Sequence, residues 1–145
     1  MSVSLTLLQA YQATEYVAYD GPVAVGVRIG AHSPGLEAIL ERHGAASGTF
    51  ITAWNPRSRP AAAEANRAAA RRLAEAVAAL GLTALPHRGV PDDPTAWTAE
   101  EGLLVLGLGE ADAVALAEHF GQNAVVRIEP GAPARLVRTA LFPGT

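Results

Sequence analysis

The sequence lacks both cysteine and lysine, and its eleven basic side chains are all arginine. Without cysteine the chain forms no disulfide, zinc–thiolate site or thiol nucleophile. Without lysine it forms neither a Schiff base nor the lysine contact of a phosphate-binding P-loop. The use of arginine alone is typical either of a composition rich in alanine, glycine and proline or of carboxylate and phosphate recognition by the guanidinium fork.

Long apolar runs are absent too. None reaches the roughly 20 residues that span a bilayer, and residues 1–10 lack the basic start and cleavage site of a signal peptide. We therefore expect a cytoplasmic protein with no membrane partner. Half of the 145 residues are hydrophobic and 17% are charged, which excludes a disordered chain. A chain of this length buries a core without disulfides, and without repeats or linkers we predict a single domain, 1–145.

Excess positive charge is also missing. The formal net charge is −3, whereas nucleic-acid-binding domains usually carry a basic excess, so we expect no nucleic-acid partner. The four histidines are scattered, at His32, His43, His87 and His119. They form no HExxH motif or pair at helical spacing, which favours surface positions over metal ligation. The sequence predicts no metal site and no cofactor.

Hydrophobic periodicity predicts an α+β fold. Three-residue spacing predicts a helix over 2–11, and alternating runs at 14–19 and 23–29 predict a β-hairpin. Further helices are predicted over 33–44, 60–80 and 109–121, strands over 49–54, 82–85, 103–108, 124–128 and 134–137, and a loop over 87–97. After the hairpin and second helix, this order is the βαββαβ of a ferredoxin-like sandwich. It predicts a mostly antiparallel sheet with helices on one face.

Four short motifs resemble a known family. They are Tyr11-x-x-Thr14-x-Tyr16, Thr52-Ala53-Trp54-Asn55-Pro56, Trp97-x-x-Glu100 and Phe120-Gly121-Gln122-Asn123-Ala124. In order and spacing they resemble the bacterial domain-of-unknown-function family 3293. The resemblance implies recurrent polar positions and no activity. Gly102 and Ala62 stand where members of the family often carry serine, so a function that needed either hydroxyl would be absent here.

The junction between the predicted strand 49–54 and helix 60–80 is the first candidate site. It carries Asn55, Arg57 and Ser58 ahead of a helix N-terminus, whose unpaired N–H groups and partial positive charge attract anions. The junction therefore predicts a cradle for a small anion, with Arg57 and Arg59 converging on it. The alternative is that Asn55 and Ser58 only cap and turn the chain.

Five further residues are candidates for the same site. Asn66 lies on the apolar seam of the predicted helix, where a buried amide needs a partner, and we expect that partner in the preceding loop. Trp97 and Glu100 precede a buried strand, where they either orient a ring of the ligand or close one end of the core. Gln122 and Asn123 follow a helix end, where amides either bind a ligand or help the chain to turn.

These side chains predict one polar pocket that binds a small anionic or amide-rich ligand. No nucleophile or base stands out, so the sequence leaves open whether a reaction is catalysed. The alternative is a protein-interaction module or a homodimer, paired through a sheet edge or an alanine-rich helix face. A pocket below about 1,000 Å³ would favour a ligand, and a flat apolar patch of several hundred Å² would favour a partner.

Overall fold

The computed structural model describes residues 3–144, with side chains from residue 6 onward. In this part of the chain, four α-helices accompany one sheet of seven strands. The elements are α1 (Val3–Gln12), β1 (Thr14–Asp20), β2 (Val23–Val27), α2 (Pro34–Arg42), β3 (Gly48–Ile51), α3 (Ala63–Ala79), β4 (Ala84–Pro91), β5 (Glu100–Leu106), α4 (Glu110–His119), β6 (Ala124–Ile128) and β7 (Arg135–Arg138). None of the helices within residues 3–144 combines the length and apolar character needed to cross a bilayer.

Neighbouring strands are antiparallel throughout the sheet, whose order is β2-β1-β4-β5-β3-β6-β7. The predicted α+β class and antiparallel sheet are confirmed. The sheet is larger than a four-stranded sandwich, because the β1–β2 hairpin continues it beyond β4 and β7 continues it beyond β6.

The N-terminal elements form where local signals predict them. Gly21 has a φ of +59° in the turn between β1 and β2, a conformation that glycine adopts without strain. The hydroxyl of Ser33 accepts a hydrogen bond from the N–H of Leu36 at 3.2 Å and caps α2, with Pro34 in the first turn. Residue 2, where the first predicted helix begins, lies outside the described residues.

Helices cover both faces of the sheet, whereas the sequence predicts them on one. As expected, α3 and α4 share one face, where their apolar side chains pack on Ile51 and Val105. On the opposite face α2 packs on Phe50 and Leu104. Successive strand residues point to opposite faces, so both faces present apolar side chains. Helices bury these side chains on each face.

The predicted loop over 87–97 is wrong in its first part, because β4 continues to Pro91. Two prolines suggested a break, yet each lies where β4 has a neighbour on one side only. Pro86 pairs with β5 just beyond Ala18–His87, the last residue pair between β1 and β4, and Pro91 pairs with β1 beyond the end of β5. A proline is tolerated where its missing N–H faces no partner strand.

Candidate functional site

The segment between β3 and α3 is a strained loop. The strand ends at Ile51 and the helix begins at Ala63, so the connection is longer than the sequence predicts. Asn55, Arg57 and Ser58 have positive φ angles of 47°, 58° and 59°. Such angles cost about 1–3 kcal/mol per residue and persist only where the surroundings enforce them, often at functional sites.

The amide of Asn66 holds this loop from the side of α3. Its Oδ1 accepts a hydrogen bond from the N–H of Asn55 at 2.9 Å, and its Nδ2 donates to Asn55 Oδ1 at 2.9 Å. Asn66 is buried, so the predicted bond between a buried Asn66 and the loop is confirmed. The paired amides leave Asn55 Nδ2 to donate to Glu100 Oε2 at 2.8 Å.

The turn after α4 holds the loop from the other side. Gly121 accepts a hydrogen bond from the N–H of Arg57 at 2.7 Å, Gln122 Nε2 donates to the carbonyl of Trp54 at 3.1 Å, and Asn123 Nδ2 donates to Ser58 Oγ at 3.1 Å. Gly121 has a φ of +71°. It is therefore Gly121 that turns the chain, which leaves both amides to support the loop.

The N–H groups of the loop are already used within the protein. Those of Ser58 and Arg59 donate to the carbonyls of Asn55 and Pro56 at 2.8 and 3.2 Å, and that of Ala61 donates to Asn55 Oδ1 at 3.0 Å. With the bonds given above, every N–H from residue 55 to residue 61 has an internal acceptor. The side chains of Arg57 and Arg59 are exposed. The loop thus offers an anion fewer donors than its sequence suggests.

A cavity of about 90 Å³, here called the inner cavity, lies between α1 and the sheet beside this loop. Its polar lining side chains are Tyr11, Thr14, Tyr16, Thr52, Asn55, Ser58, His87, Trp97, Thr98, Glu100 and Gln122. The volume exceeds that of several waters but is below that of a pocket for a drug-sized molecule. It suits a small polar group.

Glu100 is the acidic side chain of the inner cavity, and no arginine lines the cavity with it. Burial raises the pKa of the Glu100 carboxyl above its usual value, and the hydrogen bond from Asn55 opposes the rise. Burial, followed by the charge of Glu100, raises the pKa of Tyr11, and burial also raises that of Tyr16. Both phenols are therefore protonated at neutral pH. In residues 3–144 no ion pair involves Glu100.

His87 is buried in the wall of the inner cavity, so its predicted surface position is wrong. Its ring centroid lies 5.1 Å from that of Phe50 and 6.3 Å from that of Tyr16. Burial lowers the pKa of His87 to about 4, and a backbone hydrogen bond with Leu103 offsets only part of this shift. The ring is neutral at neutral pH, and its buried Nδ1 has no partner among the described residues.

A larger groove of about 540 Å³, here called the outer groove, adjoins the inner cavity. The two spaces share five lining residues, namely Asn55, Ser58, Trp97, Thr98 and Glu100. Trp54, Asn66 and Arg67 also line the groove. The side chain of Trp97 is 40% exposed, so this ring borders the two spaces rather than closing the core.

The structure gathers most of the predicted site residues but not all. Those that line the inner cavity are Asn55, Ser58, Trp97, Glu100 and Gln122, while Asn66 lines the outer groove. Asn123 supports Ser58 through its hydrogen bond. Arg57 lines neither space.

Six polar residues that line the inner cavity escaped the sequence analysis as site candidates: Tyr11, Thr14, Tyr16, Thr52, His87 and Thr98. The motif Tyr11-x-x-Thr14-x-Tyr16 contains the two tyrosines, and alternation of Leu85, His87 and Gly89 would have placed the histidine on an inward face. Within the part of the chain that the structure describes, no three His, Asp or Glu side chains converge as metal ligands would.

Comparison with known proteins finds one family. The model of the family described as "Protein of unknown function (DUF3293)" matches residues 51–125, about half of the chain. This range runs from the end of β3 to the start of β6 and includes the strained loop, Glu100 and Gln122. No curated protein and no solved structure matches the chain significantly.

Proposed function

Because this chain belongs to the DUF3293 family of proteins of unknown function, we propose its function from the site itself: it binds a small polar molecule in the inner cavity. The bound group carries N–H donors, as a primary amide or a protonated amine does, and donates them to the carboxylate of Glu100. This proposal retains the amide-rich ligand that the sequence predicts and disfavours the anionic one.

The main support for the proposal is that Glu100 accepts fewer hydrogen bonds from the protein than a carboxylate can accept. Its Oε2 accepts one hydrogen bond from a neutral amide, whereas a carboxylate has about four acceptor positions. A partly buried carboxylate without a cation is costly. A ligand N–H group supplies the missing donors, and a cationic one also supplies the missing charge.

The surrounding side chains complement such a group. The aromatic rings of Tyr11, Tyr16 and Trp97 line the same space, and ring faces attract cations. The phenols and Gln122 add neutral hydrogen-bonding groups that suit an amide. An anion, by contrast, would approach Glu100 with like charge and find no arginine in the lining.

An NMR titration with acetamide, methylammonium and acetate tests the proposal. We expect the first two to shift backbone amide resonances near Glu100 and Asn55 at millimolar concentrations, and acetate to leave them unchanged. Glu100→Gln keeps the shape of the side chain and removes its charge, so it should abolish the methylammonium shifts and weaken those of acetamide less.

Arg57→Ala is the matched control, because Arg57 lies in the same loop but lines neither space. It should bind all three probes as the wild type does. Shifts caused by acetate or phosphate and lost in Arg57→Ala would overturn the proposal in favour of the anion cradle. The absence of shifts with every probe would overturn both.

The protein-interaction module or homodimer stays a prediction. Among residues 6–144, the large exposed apolar side chains are Val23, Leu80, Val90 and Trp97, which belong to four separate segments. Trp97 also borders the inner cavity. Native mass spectrometry of the purified protein reports stoichiometry and bound small molecules together. A stable dimer that carries and binds no small molecule would favour this alternative.

We also propose that β3, α3, β4, β5, α4 and β6 form a ferredoxin-like unit. In support, their strands follow the order β4-β5-β3-β6 with antiparallel neighbours, and α3 and α4 pack on one face. The remaining strands extend this unit at both edges. An experimental structure with another strand order, or with a left-handed connection through either helix, would contradict this assignment.

A further inference from the structure

The inner cavity is too small for more than one end of a typical ligand. It measures about 90 Å³, whereas binding pockets commonly span about 300–1,000 Å³. The outer groove, at about 540 Å³, lies within that range. Since Asn55, Trp97 and Glu100 line both spaces, a molecule held at Glu100 has its remaining atoms directed towards the groove.

The groove carries aromatic surface. Both tryptophans of the chain, Trp54 and Trp97, line it. Trp97 is 40% exposed, although tryptophan is usually well buried. A flat ring that packs against an indole buries apolar surface and adopts a favourable stacking geometry. The groove is therefore suited to a planar, aromatic part of a ligand.

We propose that the site binds a two-part ligand, with an N–H donor group at Glu100 in the inner cavity and a planar aromatic ring in the outer groove beside Trp54 and Trp97. This inference rests on the proposed function and adds the class of molecule. The ligand is an amine or amide that carries an aromatic ring.

Intrinsic fluorescence tests the inference directly, because the two tryptophans are the only ones in the chain and both line the groove. The probes are methylamine and benzylamine, of which the second adds an aromatic ring to the donor group. Methylamine binding is measured by NMR shifts. We expect benzylamine to bind about tenfold more tightly than methylamine, the gain that one aromatic contact supplies, and to change the fluorescence.

Two substitutions test the contribution of the groove. Trp54→Ala removes a ring that lines the outer groove and not the inner cavity, so it should weaken benzylamine binding and retain methylamine binding. Trp97→Ala removes a ring that lines both spaces, so it should weaken the binding of both amines and that of benzylamine more. Leu80→Ala, which removes an exposed apolar side chain that lines neither space, is the control and should leave both affinities unchanged.

The outcomes also separate this inference from the proposed function. If methylamine shifts the resonances near Glu100 but benzylamine binds no more tightly and leaves the fluorescence unchanged, the two-part ligand is wrong and the proposed function stands. If neither amine binds, the two-part ligand is wrong, and if acetamide also leaves those resonances unchanged, the proposed function is wrong with it. If Trp54→Ala retains the full advantage of benzylamine over methylamine, the placement of the ring in the outer groove is wrong.

Discussion

Two charged side chains of the sheet, Arg127 on β6 and Glu100 on β5, have contrasting surroundings. The side chain of Arg127 is 5% exposed, and its Nη1 donates to Thr49 Oγ1 at 2.8 Å and to the carbonyl of Leu108 at 2.7 Å. Its Nη2 lies 3.7 Å from Glu129 Oε1. Glu100 has one neutral amide donor and no ionic partner among the described residues.

The difference distinguishes a charge that belongs to the fold from one that is available to a ligand. Arg127 is compensated by groups of its own chain, so it stabilises the packing of β6 against its neighbours. Glu100 borders an enclosed space and retains unused acceptor positions. A buried charge with partners is typical of structure, and one without partners beside a cavity is typical of function.

Removing the arginine should have the largest effect. Arg127→Met would remove the donor to the buried Thr49 hydroxyl and would leave the Leu108 carbonyl with only the longer hydrogen bond from Ser47 at 3.4 Å. We therefore expect the free energy of unfolding to fall by about 3 kcal/mol. Urea melts measure it. Arg135→Met, which removes an exposed arginine from the same cluster, is the control and should cost below about 1 kcal/mol. Equal losses in the two variants would show that the burial and hydrogen bonds of Arg127 do not make it more important for stability than an exposed arginine.

The buried histidine should make stability depend on pH. Because the pKa of His87 is lowered to about 4, its ring takes up a proton in the unfolded state at a pH where the folded state stays neutral. Stability should therefore fall as the pH drops from about 6.5 to 4, by about 3 kcal/mol for this group. His87→Phe lacks this contribution, so urea melts across that range should give a shallower slope. Parallel slopes would mean that the ring titrates normally.

Removing the amide that holds the strained loop should cost less. Asn66→Ala removes both hydrogen bonds to Asn55, and we expect a loss of about 1–3 kcal/mol in urea melts. Arg67→Ala, an exposed neighbour on the same helix, should stay within about 0.5 kcal/mol of the wild type. A loss below about 0.5 kcal/mol for Asn66→Ala would show that other contacts hold the loop.

Neutralising the carboxylate should have the smallest effect on stability. Glu100→Gln removes a poorly compensated charge, so its free energy of unfolding should equal that of the wild type within about 0.5 kcal/mol or rise slightly. Chemical denaturation at neutral pH measures it. Glu101→Gln, the exposed neighbour on the opposite face, is the control and should change stability as little. A loss above about 1 kcal/mol for Glu100→Gln alone would mean that the protein itself compensates Glu100.

The sequence alone predicts the class of fold and the position of most elements, because capping, periodicity and turn residues act over a few neighbours. Ser33 and Pro34 begin α2, and Gly21 turns the hairpin. It also indicated that Asn66 bonds to the loop before its helix, since both belong to one short stretch of chain. Five of the eight predicted site residues line the inner cavity, and they come from three separate segments of the chain.

The surroundings of those residues depend on the tertiary packing of the chain. The pairing of β4 with β1 and β5 turns a predicted loop into a strand and buries His87. The packing of α1 over the sheet brings Tyr11 to the same space as Glu100, and the turn at Gly121 uses the N–H of Arg57 that an anion would need. Except for the pairing of the consecutive strands β4 and β5, each of these contacts joins segments far apart in the chain. Partners at that range follow from strand register and packing, which local sequence patterns do not specify.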